Sequence, residues 1–452
     1  MSVRSVCAVA ALAAFLTMCP AARADNAASM PTTAPATTRP AEANTAAAET
    51  PWLVGRLDYR GDLWQRPALT GDWAGIRQEL MDKGLRFDLS LTQVVQGNWD
   101  GGTAFHQPLQ GNARYGAQLD TGKAGLLPGG LLTVKGETRY GKSDNSYTGA
   151  GMPVDTLSLF PQPGEDCVTA LTDLYYTQFL APWLAVYAGK MSPRETNVFA
   201  SDETSQFMNM AFNFNPIIDT TLPLDFLMAG GTVYFTDWLN LSTMVLDSEG
   251  TATLAGFKTA FERGTSIYQM AELGIKPFNL PGHQRVGWSW SDKSRLQFEQ
   301  SPRDIIHAIL TGSTAGLSRQ DSDWAITYDF DQYFYKVPDT KDRGIGLFGR
   351  FGVSDGVVNP VQNFYSLGVG GKGMIPGRER DNFGVGYYYL RLSEHLPRFI
   401  QARVEDEQGV EIFYNIAVTP WLHVTPDLQI LDPARRSVGA TVVAGIRMKI
   451  DF

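Results

Sequence analysis

The run Gly136-Glu137-Thr138-Arg139-Tyr140-Gly141-Lys142-Ser143 satisfies the G-x-x-x-x-G-K-S pattern of a loop whose backbone N–H groups cradle phosphates. That chemistry needs a buried strand before the loop and a helix opening after it. Here the first half of the motif is itself an alternating strand, and Asp144-Asn145-Ser146-Tyr147 is loop chemistry, so nucleotide binding is rejected. The five His, at 106, 283, 307, 395 and 423, fall in no Ser-His pattern and no G-x-S-x-G setting, and they read as loop or interfacial side chains. Asp321-Ser322-Asp323 and Asp329-Phe330-Asp331 lack the ligand spacing, the Gly and the closing Glu of a Ca²⁺ loop, and read as solvated turn acids. The sequence therefore nominates no catalytic residue, no metal site and no cofactor. With 38 Lys and Arg against 47 Asp and Glu, a net charge of −9, it offers no basic excess for nucleic acid.

What remains are charged residues at every second position. Leu132, Val134 and Tyr140 alternate with Thr133, Lys135, Glu137 and Arg139, with Gly136 and Thr138 on the less polar side. From Ala440 to Phe452 every second residue is apolar, and Thr441, Arg447, Lys449 and Asp451 lie between. A soluble sandwich strand is about five or six residues long. This run suits a tilted membrane strand of about 9–11 residues with its ends.

The tetrads Ala181-Pro182-Trp183-Leu184, Thr236-Asp237-Trp238-Leu239 and Thr419-Pro420-Trp421-Leu422 each separate two alternating runs and put an indole at a hairpin tip. Indoles belong at a water–lipid boundary, where an apolar ring with one N–H donor is well solvated. Past the N-terminus no stretch of 18 apolar residues occurs, which excludes a helical membrane protein. In hydrocarbon every backbone N–H and C=O must be paired internally, and strands achieve this by closing. The fold class expected is all-β, a transmembrane antiparallel β-barrel over residues 85–452. At about 23 residues per strand and its turn, 16 strands fit, and 14 or 18 fit nearly as well. The chain ends on a strand at Phe452, so the last strand can pair with the first, and Phe452 is expected to matter for assembly.

Upstream, Arg4, an apolar run from Val6 to Met18 and Ala22-Arg23-Ala24 read as a cleaved signal peptide, 1–24. Cleavage removes Cys7 and Cys19 and leaves Cys167 without a disulfide partner. Residues 25–51 hold 9 Ala, 6 Thr and 4 Pro and read as a disordered spacer. Residues 52–84 form an N-terminal segment with a short helix over 73–83, capped by Asp72 and stopped by Gly84.

Leu69-Thr70-Gly71-Asp72-Trp73-Ala74-Gly75-Ile76-Arg77 with Lys83-Gly84 resembles the opening motif of the carbohydrate-selective porins of the OprB type. Four further stretches are similar to that family in the same order. They are Gly274-Ile275-Lys276 through Arg285, Asp329 to Tyr333, Gly371 to Arg378, and Phe413-Tyr414-Asn415 through Gln429. The resemblance covers about residues 69 to 452. It implies a 16-stranded outer-membrane barrel through which sugars diffuse into the periplasm, without cofactor or energy coupling. The spacer at 25–51 departs from the family pattern.

In such a barrel, side chains opposite the lipid face line a water-filled lumen. Alternation nominates Lys135, Glu137, Arg139, Lys190, Arg350, Arg447 and Lys449. Sugars are neutral, so these charges act as hydrogen-bond donors and acceptors, and Arg offers five donors in a fixed fork. Trp99 and Phe105, placed in the loop after the first strand, would offer stacking faces if that loop folds inward. The helix at 73–83 is expected at the periplasmic mouth. The partners expected are mono- or oligosaccharides, outer-membrane lipid and the barrel assembly machinery, with monomer and homotrimer both open. A general porin for other solutes, and a structural barrel or adhesin, are the competing readings.

Overall fold

A computed structural model describes residues 52–159, 167–192, 196–218, 220–250 and 259–452. The signal-peptide and spacer readings lie outside the described residues. Sixteen strands close into one antiparallel barrel. They are β1 (Leu85–Asp100), β2 (Leu109–Asp120), β3 (Gly130–Gly141), β4 (Cys167–Ala181), β5 (Leu184–Met191), β6 (Phe226–Thr236), β7 (Leu239–Asp247), β8 (Thr265–Ile275), β9 (Gly282–Ser291), β12 (Asp323–Lys336), β13 (Gly344–Ser354), β14 (Val361–Lys372), β15 (Asn382–Leu392), β16 (Glu407–Thr419), β17 (Leu422–Asp432) and β18 (Thr441–Asp451). The two-residue strands β10 (Arg295–Leu296) and β11 (Arg319–Gln320) pair with each other inside the connection from β9 to β12.

Closure is made by β1 against β18, with Leu91 opposite Ile450 and Val95 opposite Ile446. The Phe452 N–H donates to Leu89 O at 2.8 Å, so the pairing runs to the last residue. No ladder edge is left for hydrocarbon to face. Alternation sorts the side chains as the period of two requires. Ile446 is 57% exposed on the outside, and the adjacent Arg447 is fully buried within.

One rim carries short turns and the other long connections. The three Trp-bearing tetrads are short-turn hairpins, but their indoles differ. Trp183 and Trp238 are about half exposed, whereas Trp421 is buried because its Nε1–H donates to Leu63 O at 2.7 Å. The segment before β1 thus lies along this rim. It is also tied down by Leu69 N–H to Asp451 O and by Leu53 N–H to an Asp120 carboxylate oxygen. The helix expected over 73–83 is shorter, Ile76–Asp82, and follows a tight turn in which Trp73 and Ala74 adopt positive φ. Asp72 is therefore no N-cap, although its carboxylate accepts the Gln78 N–H at 2.9 Å.

On the opposite rim two long connections fold into the barrel, the one after β3 and the one between β5 and β6. Phe207 of the second sits 4.6 Å from Phe212, 5.2 Å from Phe348 on β13 and 4.7 Å from Phe413 on β16, measured between ring centroids. Such pairs each add about 0.5–1.5 kcal/mol beyond the area buried. The wall opposite is cut away to receive them. A Cβ at Gly384 would lie 2.6 Å from the Phe207 ring, and one at Gly346 or Gly370 would lie 2.5 Å from Phe199. Part of the glycine content is thus a seat for the inward segment.

Candidate functional site

Arg114 on β2 lies directly opposite Glu137 on β3, and both point inward. Its Nε is 3.3 Å from Glu137 Oε2, and its Nη2 donates to Glu203, which the inward segment brings across the lumen. Asn112, next inward on β2, donates to the same Glu137 oxygen at 3.1 Å. The Arg114 side chain is 23% exposed and the two carboxylates are nearly buried, so the guanidinium presents the accessible face. One step below, Lys135 is 41% exposed and stands 3.9 Å from Asp173. Arg114 and Glu203 were not nominated. Arg114 was within reach of the sequence through the alternation of β2, but nothing in a loop sequence marks Glu203 as its partner.

Asp173 and Lys190 reach the interior through departures from alternation. In β4, Thr172 is skipped between the pairs Gly136–Leu171 and Lys135–Asp173, and the buried side changes from Val168 and Ala170 to Asp173, Tyr175 and Thr177. In β5, Gly189 at φ 140° separates buried Ala185 and Tyr187 from Lys190, which is 1% exposed. Facing Lys190 from the loop end before β6 is Asp225, which burial pushes up to about 7 against the pull of the Lys190 ammonium.

The inward-facing nominees Arg350 and Arg447 hold the inward segment in place. Arg350 donates to Phe212 O at 2.7 Å and to Ala200 O, and its Nε lies 3.3 Å from Asp329. Arg447 donates to Glu203 O at 2.8 Å and Gln206 O at 2.6 Å. Both are fully buried, so their guanidinium forks cap main-chain carbonyls and do not meet solute. Their carbonyl partners belong to the chain that also carries Glu203. Glu411 receives the N–H groups of Met208 and Asn209, and Glu407 those of Gly151 and Met152, so both inward connections are clamped from the wall. Within these connections burial raises Asp144 and Asp155 each to about 7. Asp202, although buried, is held well below the usual carboxylate range by Lys449 and the hydroxyls of Ser205 and Thr204.

The sequence matches the family described as "Carbohydrate-selective porin, OprB family" over residues 109–452. The chain belongs to this family. Porin B of Pseudomonas aeruginosa is 24% identical over 428 residues, covering 85% of this chain and 91% of that protein. Porin AaxA of Chlamydia abortus is 26% identical over 200 residues, 43% of this chain and 40% of that protein. The high-pH structure of Pseudomonas putida OprB superposes with a TM-score of 0.76 at 22% identity, covering 86% of this chain and 99% of that one, and shares the fold.

As an OprB-family porin the barrel sits in the outer membrane, with its short-turn rim periplasmic and its long connections outside. One nominee is corrected. Trp99 is not in a loop but is the extra residue of a bulge in β1, where Asn98 pairs with Val443 and Asp100 with Val442, and it is 66% exposed. Phe105 does lie in the connection 101–108, 75% exposed, and that connection docks on the one after β3 through His106, whose ring stacks on Tyr147 at 4.0 Å. Arg139 is inward and nearly buried, and Lys449 is inward, about one-fifth exposed, and 3.4 Å from Asp451.

The acids read as solvated turns are corrected too. Asp323, Asp329 and Asp331 lie on β12 facing inward, and Asp331 is fully buried. Arg285 on β9 donates to Asp329 at 2.6 Å, to Asp331 at 2.9 Å and to Glu272 at 3.0 Å. His283, read as a loop or interfacial residue, is inward and 35% exposed, and its Nδ1 lies 2.7 Å from Asp331. In this porin the polar lumen therefore has a second wall opposite β2 and β3, which sequence reading missed because acid–x–acid triplets are common in turns.

Proposed function

We propose that carbohydrates cross the outer membrane here by passive diffusion past Arg114, Glu137 and Lys135, with Glu203 closing the far side of the constriction. The observation that carries this reading is Arg114, held by two carboxylates and still partly exposed to the lumen. Fixed between them, the guanidinium keeps its accessible donors directed at passing hydroxyls. A sugar exchanges its water hydrogen bonds for these without a conformational step, so no energy coupling is needed, and the lumen conducts without catalysing.

Arg139, Lys190, Arg350 and Arg447 shape this path as wall and anchor charges. Phe452, bonded to Leu89, acts in closure of the barrel by the assembly machinery.

The test is reconstitution into planar bilayers. The reading expects open conductance that is blocked by millimolar mono- or oligosaccharide, with the block weakened in Arg114→Ala and Glu137→Ala. Conductance without sugar block would assign the lumen to other solutes. Absence of conductance would assign the chain to a structural barrel or adhesin.

A further inference from the structure

We propose that an extracellular patch formed by the β9–β12 and β15–β16 connections binds the phosphate groups of the anionic glycolipid in the outer leaflet. Two features meet there. The helix Pro302–Thr311 is capped by the Ser301 hydroxyl on Asp304 N–H and buries Ala308. Its other side leaves Ile306, Ile309 and Leu310 exposed, Leu310 at 80%. Three apolar side chains at this spacing form one stripe of a helix, and nothing among the described residues covers it. Glu299, just before this helix, is bonded to His395 at 3.0 Å, which ties it to the neighbouring connection. That connection carries the exposed Phe399 between Arg398 and Arg403.

The charge is unbalanced in a specific way. The acids of the β15–β16 connection are each already engaged. Glu394 pairs with Arg391, Glu405 with Arg436 at 3.2 Å, and Asp406 accepts the Tyr389 hydroxyl and the Leu392 N–H. Arg398 and Arg403 make no ion pair among the described residues, and both are exposed. Two free guanidinium forks on a chain of net charge −9 favour a phosphate, which they can grip bidentately. Lipid is the source favoured over a soluble anion, because the patch continues an existing lipid surface. Directly below it the outer wall carries Phe351, Tyr365 and Tyr389 in ring contact at 5.8 and 6.4 Å, with Arg391 one outward step above Tyr389. Apolar groups beside basic ones at the edge of a membrane surface are the chemistry of an anionic-lipid interface.

The experiment uses the full chain purified in detergent, titrated with lipopolysaccharide, phosphatidylglycerol or inorganic phosphate, and read by native mass spectrometry. The expected result is retained lipopolysaccharide that falls about tenfold in Arg398→Gln/Arg403→Gln and falls also in Ile306→Ser/Leu310→Ser, with heat-modifiable mobility and sugar block unchanged. Equal retention by both variants and the parent chain would overturn the proposal. So would binding of phosphatidylglycerol or free phosphate as tightly as lipopolysaccharide, or a change of oligomer mass in the variants with lipid retention intact, which would make the patch a contact between copies.

Discussion

Arg114 and Glu137 face each other across the β2–β3 ladder with 3.3 Å between Nε and Oε2, and the inward segment completes the pair with Glu203. A wall pair that also grips the constriction couples selectivity to the position of the loop. Arg114→Ala removes the guanidinium held between two buried carboxylates, a loss of about 3–5 kcal/mol for a buried pair broken on one side. The expected outcome is higher single-channel conductance and several-fold weaker sugar block. Arg114→Ala combined with Glu137→Gln should recover stability in urea without recovering the block.

Arg350 tests whether the inward segment is a fixed constriction. Arg350→Ala removes the donors to Phe212 O and Ala200 O and leaves those carbonyls buried. Hydrogen exchange should rise within residues 196–218, with enlarged conductance and little change in the barrel strands. Arg350→Lys is expected to rescue poorly, since an ammonium lacks the fork that reaches both carbonyls.

Gly386→Ala addresses the same segment from the wall. The added methyl would collide with the Phe212 ring, and overpacking costs about 1–3 kcal/mol. Altered conductance with normal heat-modifiable mobility is the expected result. An unchanged channel would show that the ring can move aside freely.

Asp144 gives a pH dependence. Burial raises its carboxyl from the ordinary value near 3.8 to about 7 in the folded loop, so folding favours the protonated form. Its contribution is fully present below about pH 4 and is lost as pH rises through about 7. The docking of 142–159 should therefore loosen over that window, visible as faster local hydrogen exchange. Asp144→Asn should reduce this pH dependence, and Asp144→Asn combined with Asp155→Asn should remove it.

Deleting Phe452 removes the last rung of the β1–β18 closure, the N–H to Leu89 O bond. Slower assembly into outer membranes, read by the yield of heat-modifiable barrel, is expected to exceed any effect on the conductance of channels that do insert.

Alternation was legible because a side chain on a strand has two directions to point, and lipid on one side with water on the other selects between them at each position. Lys135, Glu137, Arg139, Arg350, Arg447 and Lys449 are inward for that reason. Lys190, nominated on the same ground, is inward although it does not share the parity of the buried Ala185 and Tyr187, because Gly189 breaks the alternation of β5, and the rule has no means of anticipating the skipped residue at Thr172. A bulge changes parity through one backbone conformation, which a neighbouring strand stabilises and a local sequence barely marks.

What the sequence by itself determined was a barrel, its approximate strand number, its lipid face and its family motifs, all consequences of local periodicity and turn chemistry. Which inward charges meet solute was decided only by the tertiary structure. Arg350 and Arg447 look like Lys135 in a strand pattern, yet they are buried because a segment distant in sequence folds onto them. Arg114 keeps a face to the lumen because that segment meets it through the Glu203 carboxylate and leaves 23% of its side chain exposed. Periodicity reports which way a side chain points, and only the path of the rest of the chain determines what stands in front of it.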